Sequence, residues 1–306
     1  MDSTREKTSR RSISRWSERV FPYLLLLPSL IPIGVILLYP IARTLFMSTF
    51  NISILRPRND HFVWLGNYIN LFKDDIFWHG LGNSIKITVL VVIGSLTLGL
   101  ICALILNKSF RGRGIYRSLI IVPWAVPPVA AVLVWLWIYD FQFGVLNYIL
   151  RTFGFASDNV PWLVNTSFAV FSVTAVIIWK QFGIATIMLL AGLQTIDYGL
   201  YEAAEIDGAS KFQRFLNITL PGLRPSGGVL ILLVTVWTFR EFTVIYLMTQ
   251  GGPARATETL VLLTFIEAFN NYNLGYASSM GIITFVVSIV ISVGYYKLLL
   301  SKRGDE

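Results

Sequence analysis

Long stretches of this chain contain no lysine, arginine, aspartate or glutamate, and their length limits the fold more than any other feature. A helix needs about 20 consecutive apolar residues to cross the hydrocarbon core of a bilayer. Six regions qualify. The first is assigned to residues 20–48, charge-free from Val20 to Ala42 and holding Pro22, Pro28, Pro32 and Pro40. It reads as an uncleaved helix rather than a signal peptide, because the core is long and no small-residue cleavage site precedes the next polar segment. The others cover about 86–107, 118–139, 167–192, 226–249 and 272–296. Composition agrees, with 55% hydrophobic and 14% charged residues in 306, where soluble domains carry about 25% charge. The class implied is an all-α integral membrane protein with six transmembrane helices.

The remaining segments follow from that count. Residues 1–19 form a basic tail and 49–82 an external loop. Residues 83–300 form the core domain, with a hydrophilic connection at 194–225, and 301–306 form a short tail. The third span opens on Ile121-Val-Pro-Trp-Ala-Val-Pro-Pro128. Prolines have no N–H to donate, so a broken or kinked entry is expected there, tolerable only where protein surrounds it.

Charge placement orients the chain. An even number of spans puts both termini on one side. The clusters Arg5–Arg19, Lys108–Arg117, Lys211–Arg224 and Lys297–Arg303 on that side hold sixteen of the 25 lysines and arginines. Arg56, Arg58, Lys73, Arg151 and Arg255 fall on the other side. Cytoplasmic segments are the lysine- and arginine-rich ones, so both termini are expected in the cytoplasm. The net charge of +8 is thereby accounted for by topology and contact with the lipid bilayer, with no nucleic acid. The tail from Arg5 to Arg19 reads as a lipid-surface anchor or as a regulatory contact with another subunit.

Several chemistries find no support. The single cysteine, Cys102, lies in an apolar run and forms no intrachain disulfide. His61 and His79 are eighteen residues apart in an external loop, a poor spacing for a metal site. No Gly-x-x-x-x-Gly-Lys-Ser/Thr loop is present to cradle a triphosphate. No catalytic residues, bound metal or bound cofactor are expected.

The connection between spans four and five carries Tyr201-Glu202-Ala203-Ala204-Glu205-Ile206-Asp207-Gly208. Nine residues separate Gly208 from Ile218, and one more separates Ile218 from Leu220-Pro221. Ala203, Ala204 and Gly208 are small enough to let the backbone enter a cleft on a partner. Glu202, Glu205 and Asp207 are read as acceptors near a helix N-terminus, where negative charge is favoured. The alternative is an ordinary acidic surface helix.

This pattern resembles the EAA loop of binding-protein-dependent ABC importer permeases. Supporting segments are Leu65-Gly-Asn-Tyr68, Arg111-Gly-Arg-Gly114, Val122-Pro-Trp-Ala-Val-Pro127 and Leu247-Met-Thr-Gln-Gly-Gly-Pro253. The chain looks most like sugar permeases of the maltose-transporter type, with the Gly-Gly-Pro ending of the larger maltose permease. The resemblance implies the type I importer fold in an inner membrane, with residues 201–208 as the ATPase contact. It also implies a second related permease, two ATPase subunits that use ATP and Mg, and an external solute-binding protein.

In maltose permeases, amides near the positions of Thr238, Arg240 and Glu241 contribute to the solute path. This sequence has a charged pair there, so an anionic sugar becomes a candidate. Trp179, Lys180, Gln181, Trp237, Thr238, Arg240 and Glu241 form the expected path, with Trp237, Thr238 and Glu241 sharing one helix face. A structural ion pair between Glu241 and Lys180 or Arg240 is the competing reading. An ion-coupled secondary transporter remains the rival function, although no internal repeat is visible.

Overall fold

The computed structural model describes residues 23, 25–26, 28–55 and 57–301. The basic tail 1–19, the start of the first span and residues 302–306 lie outside the described residues.

Among the described residues four helices are long and apolar enough to cross a bilayer: α1 (Pro28–Ser48), α3 (Asp75–Asn107), α7 (Thr166–Gln194) and α13, whose apolar part is Leu274–Tyr295. Two bent pairs bring the count to as many as six: α4 (Arg113–Ala125) with α5 (Pro128–Ile138), and α9 (Lys211–Gly222) with α10 (Arg224–Phe239). Shorter helices are α2 (Gly66–Lys73), α6 (Val145–Thr152), α8 (Tyr198–Ile206), α11 (Thr243–Thr249) and α12 (Leu260–Asn270). The extended pairing among the described residues is a two-residue antiparallel ribbon, β1 (Phe50–Asn51) with β2 (His61–Phe62), and an isolated antiparallel bridge between Ser53 and Asn273.

Proline places two irregularities. In α1 the turn Gly34–Leu38 widens to π geometry just before Pro40, which has no N–H for the carbonyl of Ile36. In α9 the π turn Phe215–Thr219 likewise precedes Pro221. A widened turn lets the chain lose one hydrogen bond without ending the helix.

Two spans differ from the sequence expectation, and a third breaks at the prolines where a break was expected. Asp74 caps α3 by accepting from Ile76 N at 2.9 Å, so the second span begins well before Lys86. Its 33 residues extend about 50 Å, roughly 20 Å more than the hydrocarbon core requires. The third span breaks fully, with α4 and α5 at 94°, because Val126 is extended at φ −65° and ψ 128° and is followed by Pro127 and Pro128. The fifth, read as continuous over 226–249, bends by 64° at Leu223 and ends at Phe239 before resuming in α11. Helix α12 went unread because it is short and contains Glu267.

Small residues hold the long helices together. A Cβ on Gly99 of α3 would lie 2.8 Å from Cβ of Ala185 in α7, and one on Gly183 of α7 would strike the carbonyl of Ile120 in α4. Such close approach is how membrane helices gain packing where lipid offers no hydrophobic contrast. Around these contacts Val91, Ala103, Val132, Val173, Val176, Leu230, Val234 and Val244 are fully buried. A Gly183→Ala variant is expected to lose about 1–3 kcal/mol through overpacking. Thermal unfolding in detergent should show a lower midpoint; an unchanged midpoint would mean that α4 and α7 separate freely.

Beyond α11 the chain turns sharply. Gln250, Gly251, Ala254 and Arg255 have φ of 50°, 89°, 47° and 63°, a strained run for the three that carry side chains. The overhanging start of α3 holds it: Asn83 Nδ2 donates to the Arg255 carbonyl at 2.9 Å, and Ser84 Oγ accepts from Leu260 N at 2.9 Å. Glu258 is buried here, 3.5 Å from the Arg255 guanidinium, and its Oε2 has no hydrogen-bond partner.

Burial pushes the Glu258 carboxyl above its ordinary range, with Arg255 and His79 opposing. The folded form therefore favours the protonated acid. No penalty exists below the unfolded carboxyl range, and it grows as pH rises through that range to the folded value. Glu258→Gln should raise the unfolding midpoint at neutral pH and give no gain at the acid end. An equal gain at both would rule out this titration.

Candidate functional site

Two regions carry the residues singled out from sequence. The first is the helical hairpin around Gly208. Asp197 starts α8 by accepting from Gly199 N at 3.0 Å, the usual N-cap contact. At its far end Asp207 N reaches Ala203 O at 3.0 Å, and Ala209 N reaches Ala204 O at 2.9 Å across Gly208, whose φ is +78°. That is a glycine C-terminal cap. Ser210 and Gln213 then form a capping box that opens α9.

Glu205 and Asp207 therefore stand at the C-terminal end of α8, not near an N-terminus as expected from sequence; Asp197 holds that place. Adverse charge at that end is relieved by Arg214, whose Nη1 lies 2.8 Å from Glu205 Oε2. Tyr201 Oη and Thr219 Oγ1 lie 2.9 Å apart, which pins the two arms together.

The hairpin touches little else. Glu202, Ala203, Glu205, Asp207 and Gly208 are exposed, and Tyr201 and Ala204 are half-buried. Ile206 is 87% exposed, Phe212 69% and Leu200 53%. A rigid, doubly capped turn that displays apolar side chains beside carboxylates is suited to docking.

The second region lies at the breaks of the third and fifth spans. Trp179 packs edge-on against Trp135 with ring centres 5.7 Å apart. Lys180 Nζ donates to the Val126 carbonyl at 2.7 Å. Gln181 Nε2 donates to Thr238 Oγ1 at 3.2 Å in a buried pair. Glu241 Oε1 accepts from Val244 N at 3.0 Å, capping α11.

This geometry corrects the expected shared face. Thr238 is 2% exposed while Trp237 is 41% exposed, and α10 ends at Phe239, before Glu241. The competing ion pair is also missing: among the described residues neither Lys180 nor Arg240 comes within 4.0 Å of a Glu241 oxygen. Arg240 is exposed and makes no hydrogen bond to a described side chain or carbonyl. The carbonyl of Val126 and the cap on Val244 were missed from sequence, although the two prolines after Val126 signal a carbonyl turned out of its helix.

The comparisons with known proteins bear on what such a hairpin serves. The family described as "Binding-protein-dependent transport system inner membrane component" matches residues 95–303, which include the whole hairpin and both breaks. The chain belongs to this family. Its permease relatives include the sulfoquinovosyl glycerol transport system permease protein SmoG of Agrobacterium fabrum, 34% identical over 98% of this chain and 99% of that relative. Another is the trehalose/maltose transport system permease protein MalF of Thermococcus litoralis, 37% identical over 93% and 95% of the two chains. The permease fold matches a chain in the crystal structure of a bacterial ABC transporter involved in alginate import, with a TM-score of 0.79, 21% identity and coverage of 95% and 99%.

The hairpin is joined through the 64° bend at Leu223 to α10. A pocket of about 320 Å³, lined by Cys102, Ile105, Leu106, Phe110, Tyr116 and Ile120 with Arg111, lies between the end of α3 and the start of α4. It is lined by none of the residues at the span breaks.

Proposed function

We propose that the chain is one of two membrane-spanning subunits of an importer in the cytoplasmic membrane of a bacterium, with six spans and both termini in the cytoplasm. The single observation that supports this most strongly is the doubly capped, exposed hairpin of α8 and α9. Tyr201, Glu202, Ala203, Ala204, Glu205, Asp207 and Gly208 are its contact with an ATPase subunit. The chain is not itself an enzyme and holds no cofactor. ATP and Mg belong to two ATPase partners, a second related permease completes the pore, and an external binding protein delivers the solute.

The solute is a sugar or sugar derivative bearing an acidic group. Two lines support the acidic group: the relative named for sulfoquinovosyl glycerol, and the exposed, unpaired Arg240 beside Trp237 at the break of the fifth span. The aromatic face takes a sugar ring while the guanidinium takes the anion. Trp179, Gln181, Thr238 and Glu241 shape that path from behind, holding the helices that present it.

Transport follows from the connection between hairpin and span. When ATP closes the ATPase dimer, α8 and α9 of both permeases are carried together, the spans tilt, and the path opens outward. Hydrolysis restores the inward-facing form. Co-expression with an ATPase and a second permease should yield a complex that survives detergent extraction and hydrolyses ATP faster when loaded binding protein is added. Solute uptake by the purified chain alone would overturn the reading.

A further inference from the structure

Lys180 is a costly residue to place in a membrane helix, and its surroundings show what it serves. Its ammonium meets the carbonyl of Val126 at 2.7 Å. Val126 is the residue at which the third span turns by 94°. Pro127 and Pro128 follow, so neither supplies the N–H that the carbonyls of Pro123 and Trp124 would receive in an unbroken helix. The end of α4 thus presents several carbonyls with no helical donor, at the pole of the helix that carries partial negative charge. A lysine from the neighbouring helix supplies both hydrogen and charge.

The next residue of α7 serves the other broken span. Gln181 is paired with Thr238 in the last turn of α10, just before that helix stops at Phe239. Successive residues on a helix point about 100° apart. Lys180 and Gln181 therefore reach in two directions, one to each broken span. Beyond the breaks, α5 and α11 pack against each other, and α11 also packs against α7.

We infer that Lys180 is a positioning residue for transport: it caps the end of α4 from α7 and so sets the bend of the third span, without contacting solute. With Gln181 and Thr238 it fixes both broken spans to α7 at adjacent points, about which α5 and α11 turn. The role in transport rests on the importer reading above; the capping role does not. A hydrogen bond to a charged group shifts an equilibrium by about ten- to a hundredfold, and that is the effect expected on the bent form when the ammonium is removed.

The test uses the assembled transporter in lipid with Cys102→Ser, carrying spin labels at Val134→Cys on α5 and Phe171→Cys on α7. In the parent the label distance should be narrow. Lys180→Met should broaden or shift it, and Lys180→Arg should restore it. Replacing Pro127 and Pro128 with alanine should make Lys180→Met nearly silent, because the helix can then run on: the carbonyls of Pro123 and Trp124 regain donors and that of Val126 comes into register with Ala130 N. In uptake assays Lys180→Met should lower the maximal rate about tenfold or more with KM within about twofold, again restored by arginine. An unchanged distance in Lys180→Met overturns the capping role. A raised KM at an unchanged maximal rate places Lys180 on the solute and overturns it equally. If the parent assembly moves no solute, the importer reading fails, while the distance measurement still decides the cap.

Discussion

Gly208→Asp is expected to abolish uptake while leaving the permease in the membrane at parental abundance. Gly208 holds φ +78° where α8 turns into α9, and a Cβ there meets no atom of this chain within 4 Å. The substitution costs the fold about 1–2 kcal/mol from the left-handed backbone, little for a helical membrane protein of this size. Its main effect falls on whatever faces the turn. A side chain and a charge inserted at the centre of a docking surface cost 2 kcal/mol or more, a drop of roughly thirtyfold or greater in occupancy. Glu202→Lys, on the exposed face of α8, should act in the same direction by reversing a charge. Membrane abundance by immunoblot and uptake in proteoliposomes separate the two effects. Full uptake by Gly208→Asp would reduce the hairpin to an ordinary surface turn.

The second large effect concerns cargo. Arg240 is exposed and free of any ion pair among the described residues, at the point where the fifth span breaks. Removing a guanidinium that holds an anionic group forfeits about 1.5–3 kcal/mol, or roughly ten- to a hundredfold in KM. Arg240→Ala should therefore impair uptake of a sulfonated or phosphorylated sugar by that factor and leave a neutral sugar of the same size unaffected. Equal losses for both would make Arg240 a structural residue. Thr238→Ala serves as a control of a different kind: it breaks the buried pair with Gln181 and should disturb both sugars alike.

The parts of the molecule that were legible in the sequence share a physical cause. A bilayer imposes length and charge-free composition on a span, so the uninterrupted helices α1, α7 and α13 announce themselves. Prolines announce the break after Val126 in the same way, because a missing donor cannot be hidden. Glycine at 208 between two capping signals marks the hairpin. What stayed hidden depends on where side chains point. The end of α10 at Phe239 is set by Glu241 capping α11 and by Thr238 turning inward to Gln181, and neither pairing leaves a periodic trace. Lys180 read as a charge on the solute path or a partner of Glu241, and its contact with the Val126 carbonyl stayed hidden because a backbone carbonyl has no letter in the sequence. Helix α12 escaped notice because it is short and contains Glu267, and a helix that packs against α3 and α13 need not have the length of a span.

In the proposed importer an ATPase subunit grips the turn between α8 and α9. The most direct measurement is a short-range cross-link from Ala203→Cys, in a Cys102→Ser background, to the ATPase of the assembled transporter, with and without ATP. The expected result is a single cross-linked band joining permease and ATPase, retained through the cycle and lost in Gly208→Asp. An assembly that transports solute at full rate, yet gives no cross-link from Ala203 or from neighbouring positions on the exposed face of α8, would contradict it.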